Sequence, residues 1–155
     1  MINPEQENQL STASENPELE AQLDDVKIEV EEVAKRQRRI TSQIAIAQPR
    51  ETVWQVLTDY ESLPEFVPNL KTSQRLEHPE GDKIRLEQVG KQRLLKMNFS
   101  ARVVLDLVEM PPERIDFEMV EGDFKGFSGY WQLDSVENTT QLSYSVFVWP
   151  PRTMP

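Results

Sequence analysis

The sequence predicts an α+β domain in which a curved antiparallel sheet carries two short helices after its first strand. Apolar and polar residues alternate in several segments, and this is the period of a half-buried strand. Residues 53–70 (VWQVLTDYESLPEFVPNL) have helical spacing instead and contain two prolines. Short turns containing proline or glycine separate the later strand patterns.

The negative charge of the chain is concentrated at its N-terminus. The 155 residues carry a net charge of −10, and residues 1–32 contain ten acidic residues but one lysine. We therefore predict a disordered acidic tail over residues 1–24 and a single domain over residues 25–155. This acidity argues against nucleic acid as a partner.

The composition also bears on compartment and membrane contact. The chain has no cysteine, which excludes disulfides and thiolate metal ligands. No run approaches the ~20 apolar residues of a membrane span, so we expect no stable membrane insertion. The N-terminus is acidic where a secretory signal is basic and apolar, and we therefore expect a cytoplasmic location.

Two alternating segments, VKIEVEEV and ITSQIAIA, precede the helices and predict strands. The basic run KRQRR, residues 35–39, lies between them. Such a run could bind an anion, but we interpret it as an exposed strand segment.

The first predicted helix begins near Pro49, a residue suited to a helix N-terminus. Apolar residues then recur at helical spacing, at Val53, Val56, Leu57 and Tyr60.

Pro64 interrupts this helix, and Pro68 stops a second short helix over ESLPEF. Leu63, Phe66 and Val67 are expected to face the sheet beneath. We name residues 63–68 the clasp, because they are predicted to cover the opening of the curved sheet.

From Leu70 onward every segment predicts a strand. The longest pattern runs from Leu94 to Met110, and its odd positions are apolar. Turns are predicted at residues 78–82 and 111–113, and Gly122, Gly126 and Gly129 suit bulges or a bent strand.

Residue types that carry catalysis are scarce. His78 is the one histidine, and its place in a proline and glycine turn predicts an exposed surface position. Asp116 and Glu118 resemble an acid pair, but strand alternation assigns both to the outer face. We therefore predict no catalytic residue, no metal site and no cofactor, and we consider an enzyme less favoured than a binding protein.

The candidate site is the apolar face of the sheet with its bulky side chains. For any one of them plain core packing is the favoured interpretation, whereas together they suit a cavity with a few polar groups. Tyr60, Tyr144 and Arg102 are the polar candidates, although the even position of Arg102 points it outward. The predicted ligand-binding residues are Tyr60, Phe66, Met97, Phe99, Phe117, Met119, Phe127, Trp131 and Tyr144.

At VWQVLTDYESLPEFVPNL, ARVVLDL, VEGDFKGFSGYWQL and VWPPRTMP the chain resembles the START-like superfamily. It is most similar to the polyketide cyclase/dehydrase and coenzyme Q-binding branch, over roughly residues 38–155. The resemblance implies a helix-grip fold, with seven antiparallel strands wrapped around a long C-terminal helix. It also implies binding of lipids, quinones, sterols or polyketides between sheet and helix, while a few members are cyclases or hydrolases and one relative is a ribosome-associated toxin.

The sequence ends at Pro155, where the resemblance would place the start of the long C-terminal helix. We therefore expect a helix-grip domain with that helix absent. Its apolar face would be exposed by truncation, or covered through self-association or by a protein partner. Three functions stay open: carriage of an apolar small molecule, a cyclase or dehydratase reaction in the same cavity, and a protein-interaction module.

Overall fold

The computed structural model describes residues 26–94 and 97–152, and side chains in these ranges outside residues 92–99. The predicted tail over residues 1–24 lies outside the described residues. In the described part, eight strands and two short helices follow one another. The strands are β1 (Lys27–Ala34), β2 (Gln37–Ile46), β3 (Leu70–Leu76), β4 (Ile84–Leu94), β5 (Met97–Met110), β6 (Arg114–Gly122), β7 (Gly126–Val136) and β8 (Thr139–Trp149).

All the described strands form one antiparallel sheet, in the order β1-β2-β8-β7-β6-β5-β4-β3. The prediction of an α+β domain with a curved antiparallel sheet is confirmed. The sheet has one strand more than the resemblance implies, because residues 27–34 pair along β2.

The two helices connect opposite sides of the sheet. Helix α1 (Arg50–Thr58) and a 3₁₀ helix (Tyr60–Glu65) join β2 to β3, which lies at the far edge. The chain must therefore cross one face of the sheet between these strands. Helix α1 contacts β7 and β8, and the 3₁₀ helix packs on β3.

Helix α1 begins as predicted and ends earlier than predicted. Pro49 occupies its N-cap position, with a φ of −62°. The helix ends at Thr58, and Pro64 lies inside the separate 3₁₀ helix. Val56 is 44% exposed and does not share the buried face of the helix, although it has helical spacing with Val53. At about 100° per residue, the buried stripe centres near Leu57, between Val53 and Trp54, and leaves Val56 at its margin.

The core lies on the face that the helices cross. Inward positions of β5 alternate as predicted, with Val103, Leu105 and Leu107 buried. The predicted start of this strand at Leu94 is wrong, because β4 extends to Leu94 and β5 begins at Met97. The buried cluster comprises Tyr60, Leu86, Val103, Leu105, Leu107, Ile115, Phe117 and Val146.

A bulge bends the sheet between β5 and β6. Val104 pairs with Glu121 and Leu105 pairs with Met119, so one residue of β6 has no partner in the ladder. Gly122 follows with a φ of +152°, and a Cβ there would lie 2.5 Å from the Arg102 carbonyl oxygen. The bulge predicted at this glycine is therefore present, and it increases the local twist of the sheet.

Candidate functional site

A cavity of about 640 Å³ lies on the concave face, between the sheet and the two helices. Its walls come from strands β2 to β8, whose inward positions are mostly apolar. Leu57 of α1, Leu63 of the 3₁₀ helix and Val67 of the clasp line it from the other side.

One wall of the cavity is aromatic. The rings of Phe117 and Tyr144 stack at 5.8 Å between centroids, with 16° between their planes. The ring centroid of Trp131 lies 4.2 Å from that of Tyr144, and the ring centroids of Phe127 and Phe117 are 5.9 Å apart. Cross-strand aromatic pairs of this kind stabilise neighbouring strands and present a broad apolar surface.

The structure brings five of the predicted binding residues together in the cavity lining: Tyr60, Phe117, Phe127, Trp131 and Tyr144. Met119 packs against the core cluster but does not line the cavity. The side chains of Met97 and Phe99 lie outside the described residues.

Phe66 does not face the sheet as predicted, since it is 61% exposed. It is the first residue after the 3₁₀ helix, where the chain turns with φ −116° and ψ −28°. Helical spacing therefore no longer sets the direction of its side chain.

Tyr60 connects the 3₁₀ helix to the end of β5. Its hydroxyl donates a hydrogen bond to Oε2 of Glu109. Burial raises the pKa of Tyr60 well above its usual value, and the bond to Glu109 raises it further. The phenol is therefore protonated at neutral pH and serves as a donor.

Tyr144 is a second cavity tyrosine with a different environment. Burial alone raises the pKa of its phenol. Among the described residues, none forms a hydrogen bond with its hydroxyl. Tyr144 therefore offers the cavity one polar group in an aromatic wall.

We expect Tyr60→Phe to lower the free energy of unfolding by about 1.5–3 kcal/mol, the range for a hydrogen bond to a charged group. The loss arises because Glu109 loses its donor and the 3₁₀ helix loses its connection to β5. Urea unfolding at pH 7 measures it. Tyr130→Phe is the control, since that ring lies on Arg114 at 3.9 Å and outside the cavity lining. Equal stability of Tyr60→Phe and wild type would contradict this role.

Several polar groups of the lining were not predicted. Arg38, Asn69, Gln88 and Lys91 all line the cavity. Arg38 belongs to the basic run that we interpreted as exposed, and strand alternation inside that run was the signal that could have identified it.

Arg102, a predicted polar candidate, lies outside the cavity, as its even position indicates. Its guanidinium bridges Glu87 and Glu121, at 2.8 Å to each carboxylate. Arg102 and Glu121 line a small groove on the other side of the sheet.

His78 lies in the predicted turn but is not exposed as predicted, since its side chain is 5% exposed. Its Nδ1 accepts a hydrogen bond from the backbone N–H of Glu80, and its Nε2 lies 3.1 Å from Asp106. Arg85 also contacts Asp106, at 2.7 Å, and this bond is the main reason that the pKa of Asp106 is lowered. The cluster does not line the cavity.

The residues that the structure describes contain no group of three or more acidic, histidine or cysteine side chains arranged to hold a metal ion. Within the same ranges, every helix is too short or too polar to cross a bilayer.

Residues 46–155 match the family described as polyketide cyclase / dehydrase and lipid transport. No curated protein matches the chain.

Solved structures share the fold at low sequence identity. A START superfamily protein from Mycobacterium smegmatis is 18% identical with a TM-score of 0.61, covering 76% of this chain and 80% of that one. The Zhui aromatase/cyclase from Streptomyces sp. R1128 is 19% identical with a TM-score of 0.59, covering 74% and 69%. A STAR-related lipid transfer protein from Xanthomonas axonopodis is 14% identical with a TM-score of 0.60, covering 81% and 77%.

These structures show that the fold is START-like, and the family match extends over more than half of the chain. The chain therefore belongs to the polyketide cyclase/dehydrase and lipid transport family.

Proposed function

We propose that this domain binds and carries an apolar small molecule, such as a lipid, an isoprenoid quinone or a polyketide-like compound. The observation that carries this proposal is the cavity of about 640 Å³ with an aromatic wall. Cavities for small ligands are commonly a few hundred to about 1,000 Å³ and mostly apolar. The lipid transfer protein with the same fold supports this choice of ligand class.

The chemistry of the two cavity tyrosines favours binding over a cyclase or dehydratase reaction. Burial raises the pKa of both phenols, so each keeps its proton at neutral pH. A protonated phenol donates a hydrogen bond to a carbonyl or hydroxyl oxygen but does not act as a general base. We propose that Tyr144 orients the ligand in this way.

Native mass spectrometry after gentle purification tests the proposal, followed by solvent extraction to identify what was bound. A calorimetric titration with straight-chain alcohols gives an independent measure. Each buried methylene contributes about 0.8 kcal/mol, so affinity should rise roughly fourfold per carbon until the cavity is full. Alcohols that bind without dependence on chain length would contradict an apolar cavity site.

A substitution that fills the cavity is expected to block binding. Ala101 lines the cavity, and Ala101→Trp should weaken dodecanol binding at least about tenfold because the indole occupies the ligand volume. Calorimetry measures the affinity, and circular dichroism checks folding. The matched control is Ser100→Trp, since Ser100 is exposed and precedes Ala101 on β5. If both variants bind dodecanol like wild type, the cavity is not the binding site.

The same mass spectra report the oligomeric state. A second copy or another protein seated on the open face of the sheet would appear as a complex of higher mass. We propose a cytoplasmic location for the carrier, which cell fractionation with an antibody to the protein tests.

A further inference from the structure

Two cationic side chains line the cavity at the same end of the sheet. Arg38 lies near the start of β2 and pairs with Val148 near the end of β8. Lys91 lies near the end of β4 and pairs with Ser100 near the start of β5. Because adjacent strands are antiparallel, both of these pairs belong to one end of the sheet, which we name the mouth.

The opposite end of the cavity is apolar. Leu107 and Ile115 line it near the turn that joins β5 to β6, and both are buried. Tyr60 also lines this part, but its hydroxyl is already directed to Glu109. The cavity therefore has one apolar end and one positively charged end.

Six basic side chains of the described residues are paired with carboxylates, and the cations of the mouth are not among them. Arg39, Arg50, Lys83, Arg85, Arg102 and Arg114 each form an ion pair with a carboxylate. Among the described residues, none of Arg38, Lys71 and Lys91 has such a partner.

The backbone N–H of Lys91 donates a hydrogen bond to the Asn69 carbonyl oxygen at 2.8 Å, and Leu70 pairs with Gly90, so the Lys91 side chain meets that of Lys71 at the start of β3. This contact between two cations lowers the pKa of Lys91. An anion placed beside the two ammonium groups would be attracted to each and would offset their mutual repulsion.

We infer that the bound molecule is an amphiphile whose anionic head group, a carboxylate or a phosphate, lies beside Lys91 and Lys71 while its apolar part extends toward Ile115. Arg38, on the other wall of the mouth, adds to the positive potential. This inference depends on the proposed carrier function and adds the polarity and the orientation of the ligand.

The test uses the full chain and three ligands with the same alkyl chain, namely dodecanoate, dodecyl phosphate and dodecanol, each below its micelle concentration. At low salt, dodecanoate and dodecyl phosphate should bind at least about tenfold more tightly than dodecanol. This ratio should fall strongly between about 20 mM and about 0.5 M NaCl, because salt screens exposed charges. The two anionic ligands separate a preference for carboxylate from one for phosphate.

Lys71→Gln/Lys91→Gln should reduce the ratio to about one, and Arg38→Gln should reduce it by a smaller factor. The matched control is Lys27→Gln/Lys83→Gln, which removes two charges at the other end of the sheet and should keep the wild-type ratio.

The possible results separate the inference from the proposed function. Equal affinities for dodecanol and the two anionic ligands would contradict the preference for an anionic head group and leave the carrier function intact. A wild-type ratio in Lys71→Gln/Lys91→Gln would overturn the assignment to these lysines. If inorganic phosphate binds as tightly as dodecyl phosphate, the inference that the ligand is an amphiphile is wrong. If none of the three alkyl ligands binds, both proposals fail.

Discussion

Gly129→Ala is expected to lower the free energy of unfolding by about 3 kcal/mol, the upper part of the range for overpacking. A Cβ at this position would lie 1.9 Å from the backbone oxygen of Ser145 and 2.8 Å from Cζ of Phe117. Neither neighbour can yield easily, because one is backbone of β8 and the other is buried in the aromatic wall. The strands β6, β7 and β8 would have to separate locally.

Urea unfolding measures this loss through the transition midpoint, provided that the slope of free energy against urea stays unchanged. The matched control is Gly90→Ala, another glycine within a strand. There, the nearest atom to a Cβ is the Asn69 carbonyl oxygen at 3.4 Å, so we expect a change below about 1 kcal/mol. Equal stability of the two variants would show that β7 and β8 are not as close as the structure places them.

The second large effect is a loss of stability at alkaline pH. Burial raises the folded-state pKa values of Tyr60 and Tyr144 above the value of about 10 in an unfolded chain. Above pH 10 the unfolded chain releases these protons while the folded protein keeps them. The unfolded state then binds fewer protons, so the free energy of unfolding falls by about 1.4 kcal/mol per pH unit for each tyrosine. Below about pH 10, this contribution is fully present.

Chemical denaturation at intervals between pH 8 and pH 12 measures this slope. Lysine side chains also lose protons in this range, so the comparison with variants isolates the tyrosines. Tyr144→Phe should reduce the slope by about 1.4 kcal/mol per pH unit, and Tyr60→Phe/Tyr144→Phe by about twice that amount. A double variant with the wild-type slope would contradict the burial of these phenols.

The strand pattern could be predicted from sequence because it is local. Alternation along β5 assigned Val103, Leu105 and Leu107 to one face, and these residues are buried. The hairpin between Leu94 and Met97 was missed, since LLKM continues the apolar pattern and contains no turn residue. Alternation reports which face a residue occupies but not where the chain reverses.

The cavity could be predicted only in part, because its lining depends on distant segments. Phe117, Phe127, Trp131 and Tyr144 face inward by strand alternation, and the pairing of β6, β7 and β8 brings them together. The side chain of His78 is buried against Asp106, which is 28 positions away in the sequence, so no local pattern indicated this contact.

The cations of the mouth illustrate the same point. Lys91 was not among the predicted binding residues, whereas β4 continues to Leu94 and carries it along the cavity. Whether a lysine lies against the lumen depends on the length and curvature of the sheet, and neither is encoded in a local pattern.

The order of the strands has a consequence for how the chain folds. The strands β3 to β8 form a meander of neighbours in sequence, which requires short loop closures. The hairpin of β1 and β2 joins that meander through β8, where Ile46 pairs with Thr140, 94 positions later. Closure of so long a loop is entropically costly before contacts reward it, and topologies of this kind fold slowly. We therefore expect the pairing of β2 with β8 to be the rate-limiting step of folding.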